Sequence, residues 1–162
     1  MKSIALHILI LISLLITGKC IHAQELPPRP MVVYTHMNMN FGTFIAGLGG
    51  GTVTITPQGV REKEGDIFLV NAGNFPSAAI YRVEALPGNI INMLIPPLVT
   101  LNGDSGGQIT LQITGSDPQA PYVNTIMPPY YMEVKVGGRL TIPVNTPSGN
   151  YNGSYTITFI QE

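Results

Sequence analysis

Turn-forming residues recur so often in this chain that no helix of ordinary length fits between them. Outside the N-terminal segment, Gly, Pro and Asn cut it into short apolar or alternating runs. No window of ten or more residues between these breakers carries the apolar period of a helix. Residues 52–56 alternate strictly and stop at Pro57, and residues 78–85 place Ile80, Arg82 and Glu84 opposite Tyr81, Val83 and Ala85. Comparable runs are residues 31–34, 39–44, 66–70, 90–95, 99–101, 109–114, 130–136, 140–144 and 154–160. Successive side chains of a strand point to opposite faces, so such runs suit half-buried strands. About nine or ten short strands at roughly ten-residue spacing predict an antiparallel β-sandwich or barrel. Residues 47–51, Gly-Leu-Gly-Gly-Gly, read as a flexible turn, and residues 61–65 as a charged one.

The first residues follow a different logic. Lys2 precedes an almost continuous apolar run at residues 4–16, broken by His7 and Ser13, and Ala23 supplies a small residue before Gln24. These are the three parts of a cleavable secretory signal peptide, assigned to residues 1–23. As a helix the run rises about 20 Å, short of the ~30 Å hydrocarbon core, which argues against a permanent span. Thr17, Gly18, Lys19 and Cys20 loosely match a bacterial lipoprotein box, but Lys19 stands where a small residue is needed, so Cys20 is read as leaving with the signal peptide. Residues 24–30, with Pro27, Pro28 and Pro30, read as an extended Pro-rich lead. Residues 31–162 are expected to form a single domain.

Cleavage narrows the chemistry. It takes the only cysteine and leaves His36 as the one histidine. An exported domain without cysteine relies on its core rather than on disulfides. The full chain has a formal net charge of −1 with 10% charged residues and no basic stripe, so no nucleic-acid partner is expected. Zinc needs clustered His, Cys or carboxylates, which the pattern lacks. Glu62, Glu64 and Asp66 alternate, but Arg61 and Lys63 interleave with them, which favours a solvated charged loop over a calcium site.

Residues 103–107 spell Gly-Asp-Ser-Gly-Gly, the string around the nucleophile of chymotrypsin-like proteases. A serine hydroxyl needs a histidine to take its proton and a carboxylate to orient that histidine. His36 lies in Tyr-Thr-His-Met, outside any such motif, and the chain is far too short for that fold. Asn102 and Gly103 instead open a hairpin between residues 99–101 and 109–114, widened by Gly106 and Gly107. No catalytic residue, cofactor or metal ligand is assigned. Tyr122, Tyr130, Tyr131, Tyr151 and Tyr155 suit sheet packing better than a sugar platform, and Asn152-Gly153-Ser154 suits a turn or bulge better than a glycosylation acceptor.

Two segments carry a family signature. One is Met39-Asn40-Phe41-Gly42-Thr43-Phe44, followed by a Gly-rich stretch and Gly51-Thr52-Val53-Thr54-Ile55. The other is residues 137–143 with residues 147–159, which include Gly149, Tyr151, Gly153, Tyr155 and Phe159. In order and spacing they resemble the secreted bacterial family called domain of unknown function 4402, over most of residues 31–160. That family is itself similar to spore coat protein U and to archaic chaperone–usher pilin domains. The resemblance implies an immunoglobulin-like antiparallel β-sandwich in the periplasm or on the surface of a Gram-negative bacterium. It also implies association by strand addition, with itself or with other surface subunits. On that mapping, Met31, Val32, Val33 and Tyr34 form a candidate donor segment behind the Pro-rich lead. Tyr151, Tyr155, Ile157 and Phe159 form the face of a final strand that begins near Gly149. The expected role is a structural, fimbria-like or adhesion-related subunit. The alternative is a monomeric binding module for carbohydrate or peptide.

Overall fold

The computed structural model describes residues 29–162. The signal peptide assigned to residues 1–23, Cys20 with it, and the first part of the Pro-rich lead lie outside the described residues. The described chain holds eleven strands: β1 Val32–Met37, β2 Thr43–Ile55, β3 Arg61–Val70, β4 Ala79–Glu84, β5 Ile90–Leu94, β6 Val99–Gly103, β7 Gln108–Asp117, β8 Tyr122–Val123, β9 Met132–Ile142, β10 Tyr151–Asn152 and β11 Thr158–Gln161. All pairings are antiparallel. The all-β antiparallel fold predicted from alternation is observed, and of the sandwich and barrel left open by that pattern it is sandwich-like.

β9 is the spine. Residues 132–136 pair with β4, outside which lies β1. Residues 138–142 pair on that same edge with residues 51–55 of β2. The other edge of β9 pairs with β7, followed by β6 and β10. β9 changes partner at Gly137, where a Cβ would stand 2.6 Å from the Ile55 carbonyl oxygen. The sequence places a break between residues 136 and 140, and the structure corrects it. Gly137 and Gly138 do not end a strand; they let a continuous strand pass close under its neighbours.

The β2–β3 hairpin is bent double. Its ladder runs from Ile55↔Arg61 to Thr43↔Val70. A straight ladder of about nine residues would hold those ends roughly 30 Å apart. Yet the Arg61 guanidinium donates to the Val70 carbonyl at 3.2 Å and to the Thr43 carbonyl. The ladder therefore turns back on itself where its register breaks, between Ala46 and Gly51. Gly50 and Gly65 make this corner at φ 66° and 78°, a region that favours glycine. The Gly49 N–H donates to Asp66 at 3.2 Å inside it. So residues 47–51 are a corner within β2 rather than a flexible turn, and residues 61–65 are strand rather than a charged turn. Pairing with β2 overrides the weak strand propensity of Glu62, Lys63 and Glu64.

Two cores result. The first joins Val53, Ile55, Leu101, Ile109, Leu111, Leu140 and Ile142 of the large sheet to Phe44, Ala46, Ile67 and Leu69 of the folded-back hairpin. The second joins Val83, Val134 and Val136 to Ile91 and Met93 of β5, Tyr122 of β8, and Ile157 and Phe159 near the C-terminus. That last group belongs to a smaller sheet, ordered β11-β5-β8. Val53, Ile55, Ile67, Ile91, Val134 and Val136 are fully buried, each worth about 1.5–3 kcal/mol of apolar burial. One layer is thus the sheet around β9. The opposing layer is supplied in two pieces, the folded-back hairpin and the small sheet.

Candidate functional site: an open seam in the second layer

The two pieces of the second layer do not meet. Residues 43–46 pair only with β3, and β11 pairs only with β5. Residues 153–157, between β10 and β11, belong to no ladder. Two strand edges are thus unpaired, and beside the first of them, residues 43–46, lies a cleft of about 740 Å³ that no residue of β11 lines. Its floor is Leu101 of β6, Ile109 and Leu111 of β7, and Leu140 and Ile142 of β9. Period-two alternation puts these side chains on one face. Residues 37–46, Asn74, Ser77 and residues 146–153 with Tyr155 complete its lining. None of the described residues that line it is charged.

The turn formed by residues 103–107 holds one wall of this cleft. Asp104 accepts from the Asn150 backbone N–H at 3.1 Å, from Asn150 Nδ2 at 2.9 Å and from Ser105 Oγ at 3.2 Å. These bonds, those of Asn150 foremost, hold the Asp104 carboxyl below its ordinary range. Tyr151 donates its hydroxyl to the Pro147 carbonyl at 2.6 Å. The Ser105 hydroxyl is thus turned to its neighbouring carboxylate. His36 lies on β1, with Nε2 3.2 Å from an Arg82 nitrogen. The string that resembles a protease motif acts here as a hairpin turn and a loop clasp.

The final strand is tied at its other end to β4. The Tyr81 and Phe159 rings lie 5.4 Å apart at 58°. Burial raises the Tyr155 phenol above the ordinary tyrosine range, and the neighbouring Tyr81 phenol adds to the shift. Tyr122 also lies in the second core, its hydroxyl buried without a partner. Burial pushes that phenol up to about 12.

The sequence-predicted contact residues fall into distinct places. Val32, Val33 and Tyr34 lie in β1, paired with Glu84, Val83 and Arg82 of the same chain. Met31 and Val33 pack on the second core, whereas Val32 and Tyr34 are exposed. β1 ends the large sheet, so its outer edge is unpaired. Tyr151 and Tyr155 pack on the first core and line the cleft; Ile157 and Phe159 pack on the second core. Their side chains alternate and are shared between the two cores, but the strand read over residues 154–160 is shorter: residues 153–157 join no ladder, and β11 begins at Thr158, where pairing with β5 starts. Sequence reasoning missed the aliphatic floor and the free edge at residues 43–46. The latter carries part of the family signature, Thr43-Phe44, which was the available signal. Among the described residues, no three His, Cys, Asp or Glu side chains are grouped to hold a metal ion. Glu64 instead meets the Thr52 hydroxyl at 3.4 Å, and Asp66 is engaged at the corner.

The fold and cleft define a β-sandwich module with one open seam. The chain belongs to the family described as Domain of unknown function (DUF4402), whose sequence profile matches residues 32–160. No curated protein and no solved structure is detectably similar to it.

Proposed function

We propose that this chain is an exported structural subunit that takes up a β-strand from a partner in its open seam. One observation carries the reading: the edge of residues 43–46 has no partner on its outer side and borders a cleft over the first core. Unpaired edges are an association hazard unless blocked or used. Strand addition supplies main-chain hydrogen bonds to such an edge. The resemblance to coat protein U and pilin-like domains read from the sequence signature favours the same reading, as does the signal peptide assigned to residues 1–23. The periplasm or surface of a Gram-negative bacterium is the compartment this reading requires.

The test is to fill the seam from within the chain. Glu162 follows β11, and its backbone exchanges hydrogen bonds with Ile90. A short turn and a seven-residue alternating strand appended after Glu162 would form a hairpin on the free side of β11. The expected result is a rise in Tm of about 10 °C, from a few kcal/mol of added pairing and burial. High-mass species on unheated gels should disappear. An unchanged Tm, equal to that of the same extension carrying two prolines, would overturn the reading.

A further inference from the structure

We infer that Asn152 is a self-modification site: its side-chain amide is lost to the following glycine, and the carboxylate left behind loosens one wall of the cleft as the protein ages. The reaction uses only this chain and water. It goes beyond the strand-accepting reading and needs no partner.

The chain holds two Asn-Gly pairs, Asn102-Gly103 and Asn152-Gly153, and the fold sets the two asparagines opposite each other in the β6–β10 pairing. In such a pair the glycine nitrogen can reach the asparagine side-chain carbonyl, because no Cβ shields it. That nitrogen gives up its proton and bonds to the amide carbon. The amide nitrogen takes a proton and leaves as ammonia, closing a five-membered imide. One water then opens the imide at either carbonyl. The products are aspartate or isoaspartate, the latter with its main chain running through the former side chain. No oxidant or reductant takes part.

The two pairs differ in what must break before the attack. The Gly103 N–H donates to the Gly107 carbonyl at 3.1 Å, and Asn102 Oδ1 accepts from Gln108 Nε2 at 3.0 Å. Nucleophile and electrophile are both held. Asn152 is exposed, and Gly153 opens the stretch of residues 153–157 that belongs to no ladder. Among the described residues nothing hydrogen-bonds the Gly153 N–H or the Asn152 side chain. Each bond that must open first slows the attack roughly three- to tenfold, so Asn152 should react roughly ten- to a hundredfold faster than Asn102. A Cβ at position 153 would meet the Leu101 side chain and, at 2.9 Å, the Thr100 carbonyl oxygen. Close packing on β6 therefore requires this glycine, and the lability of its neighbour follows from it.

Asn152 lines the cleft, and none of the described residues that line it is charged. Conversion puts a carboxylate there, close in sequence to Asn150, which already binds the Asp104 carboxylate. Isoaspartate also lengthens the main chain within β10, a strand of 2 residues, and so breaks its pairing with Asn102 and Gly103.

The test holds the purified chain in warm, mildly alkaline buffer, either folded or in urea, and samples it over time. Peptide mass mapping follows the loss of ammonia at each asparagine, and isoaspartyl methyltransferase counts the isoaspartate. In urea the two sites should convert at similar rates. In the folded chain Asn152 should convert at least about tenfold faster than Asn102. Asn152→Gln should remove this fast phase, because the longer side chain closes no five-membered ring. The converted chain, separated by its added charge, should show amide exchange raised several-fold at Asn102 and Asp104, on the β6 side of the pairing. Equal rates at the two sites in the folded chain, faster loss at Asn102, or an intact Asn152 once the urea sample has converted would overturn the site. Unchanged exchange after conversion would overturn the loosening.

Discussion

Asn150 is bound to Asp104 on three sides. Its N–H and its side-chain amide both donate to the carboxylate, and its carbonyl accepts the Asp104 N–H at 3.1 Å. This clasp joins the β6–β7 turn to the loop that walls the cleft. Asp104→Ala should leave the fold intact and raise amide exchange at Asn150 and Tyr151 several-fold. The carboxyl is held below its ordinary range by these bonds. A depressed folded-state pKa makes the contribution present above the unfolded value, near 3.9, and lost as pH falls through the folded value. The clasp should therefore be closed at neutral pH and open only in acid, below the ordinary carboxylate range. Exchange at Asn150 followed against pH should show this opening in the parent chain and not in Asp104→Ala.

Arg61 should matter more than a partly exposed arginine ordinarily does. Its fork holds the carbonyls of Thr43 and Val70 and so keeps the hairpin doubled over. Arg61→Ala should cost about 1–3 kcal/mol in urea unfolding, because two carbonyls lose charge-assisted donors. Arg61→Lys should recover only part of that, since an ammonium lacks the planar fork. A neutral Arg61→Ala variant would show that the corner is set by its glycines alone.

The two glycines in β9 should respond unequally. A methyl group on Gly137 would meet backbone, at 2.6 Å from the Ile55 oxygen, and Pro57 beside it. One on Gly138 would meet the flexible end of Met39 at 2.7 Å and Leu111 at 2.9 Å. Gly137→Ala should therefore destabilise by about 1–3 kcal/mol or more, and Gly138→Ala by less, because a methionine can move aside. Thermal unfolding of the two variants ranks them directly.

The buried phenols predict an alkaline limit. Tyr122 ionises near 10 unfolded and is pushed up to about 12 by burial. A raised folded-state pKa gives stability that is fully present below the unfolded value and lost as pH rises through the folded one. Stability should hold to about pH 10 and fall between 10 and about 12. Tyr122→Phe should flatten that fall. At neutral pH it should change stability by less than about 1 kcal/mol, because its buried hydroxyl has no partner to lose.

How much of this was legible in the sequence depends on whether a feature is local. Residues 79–84 and the Tyr151, Tyr155, Ile157, Phe159 face wrote their burial directly as period-two alternation. So did the hairpin at Gly103, because turn chemistry is a property of adjacent residues. Gly137 and Gly50 misled, since glycine reads as an ending whether it closes a strand, bends one or lets another backbone approach. The charged residues at 61–65 hid a strand because their exposed face carries the charges while β2 supplies the pairing. The cleft was least legible. Leu101, Ile109 and Leu140 come from three strands, and only the order of pairing shows that they share one buried face beneath it.

The neutrality of that cleft has a consequence for the medium in which it works. No charged side chain lines the cleft, and the charges nearest it, Asp104 on Asn150 and Arg61 on Thr43, are opposite in sign and already engaged, so little net field steers a partner. Encounter there should proceed at an unsteered rate of about 10⁵–10⁶ M⁻¹s⁻¹, and its affinity should differ little between fresh water and brine.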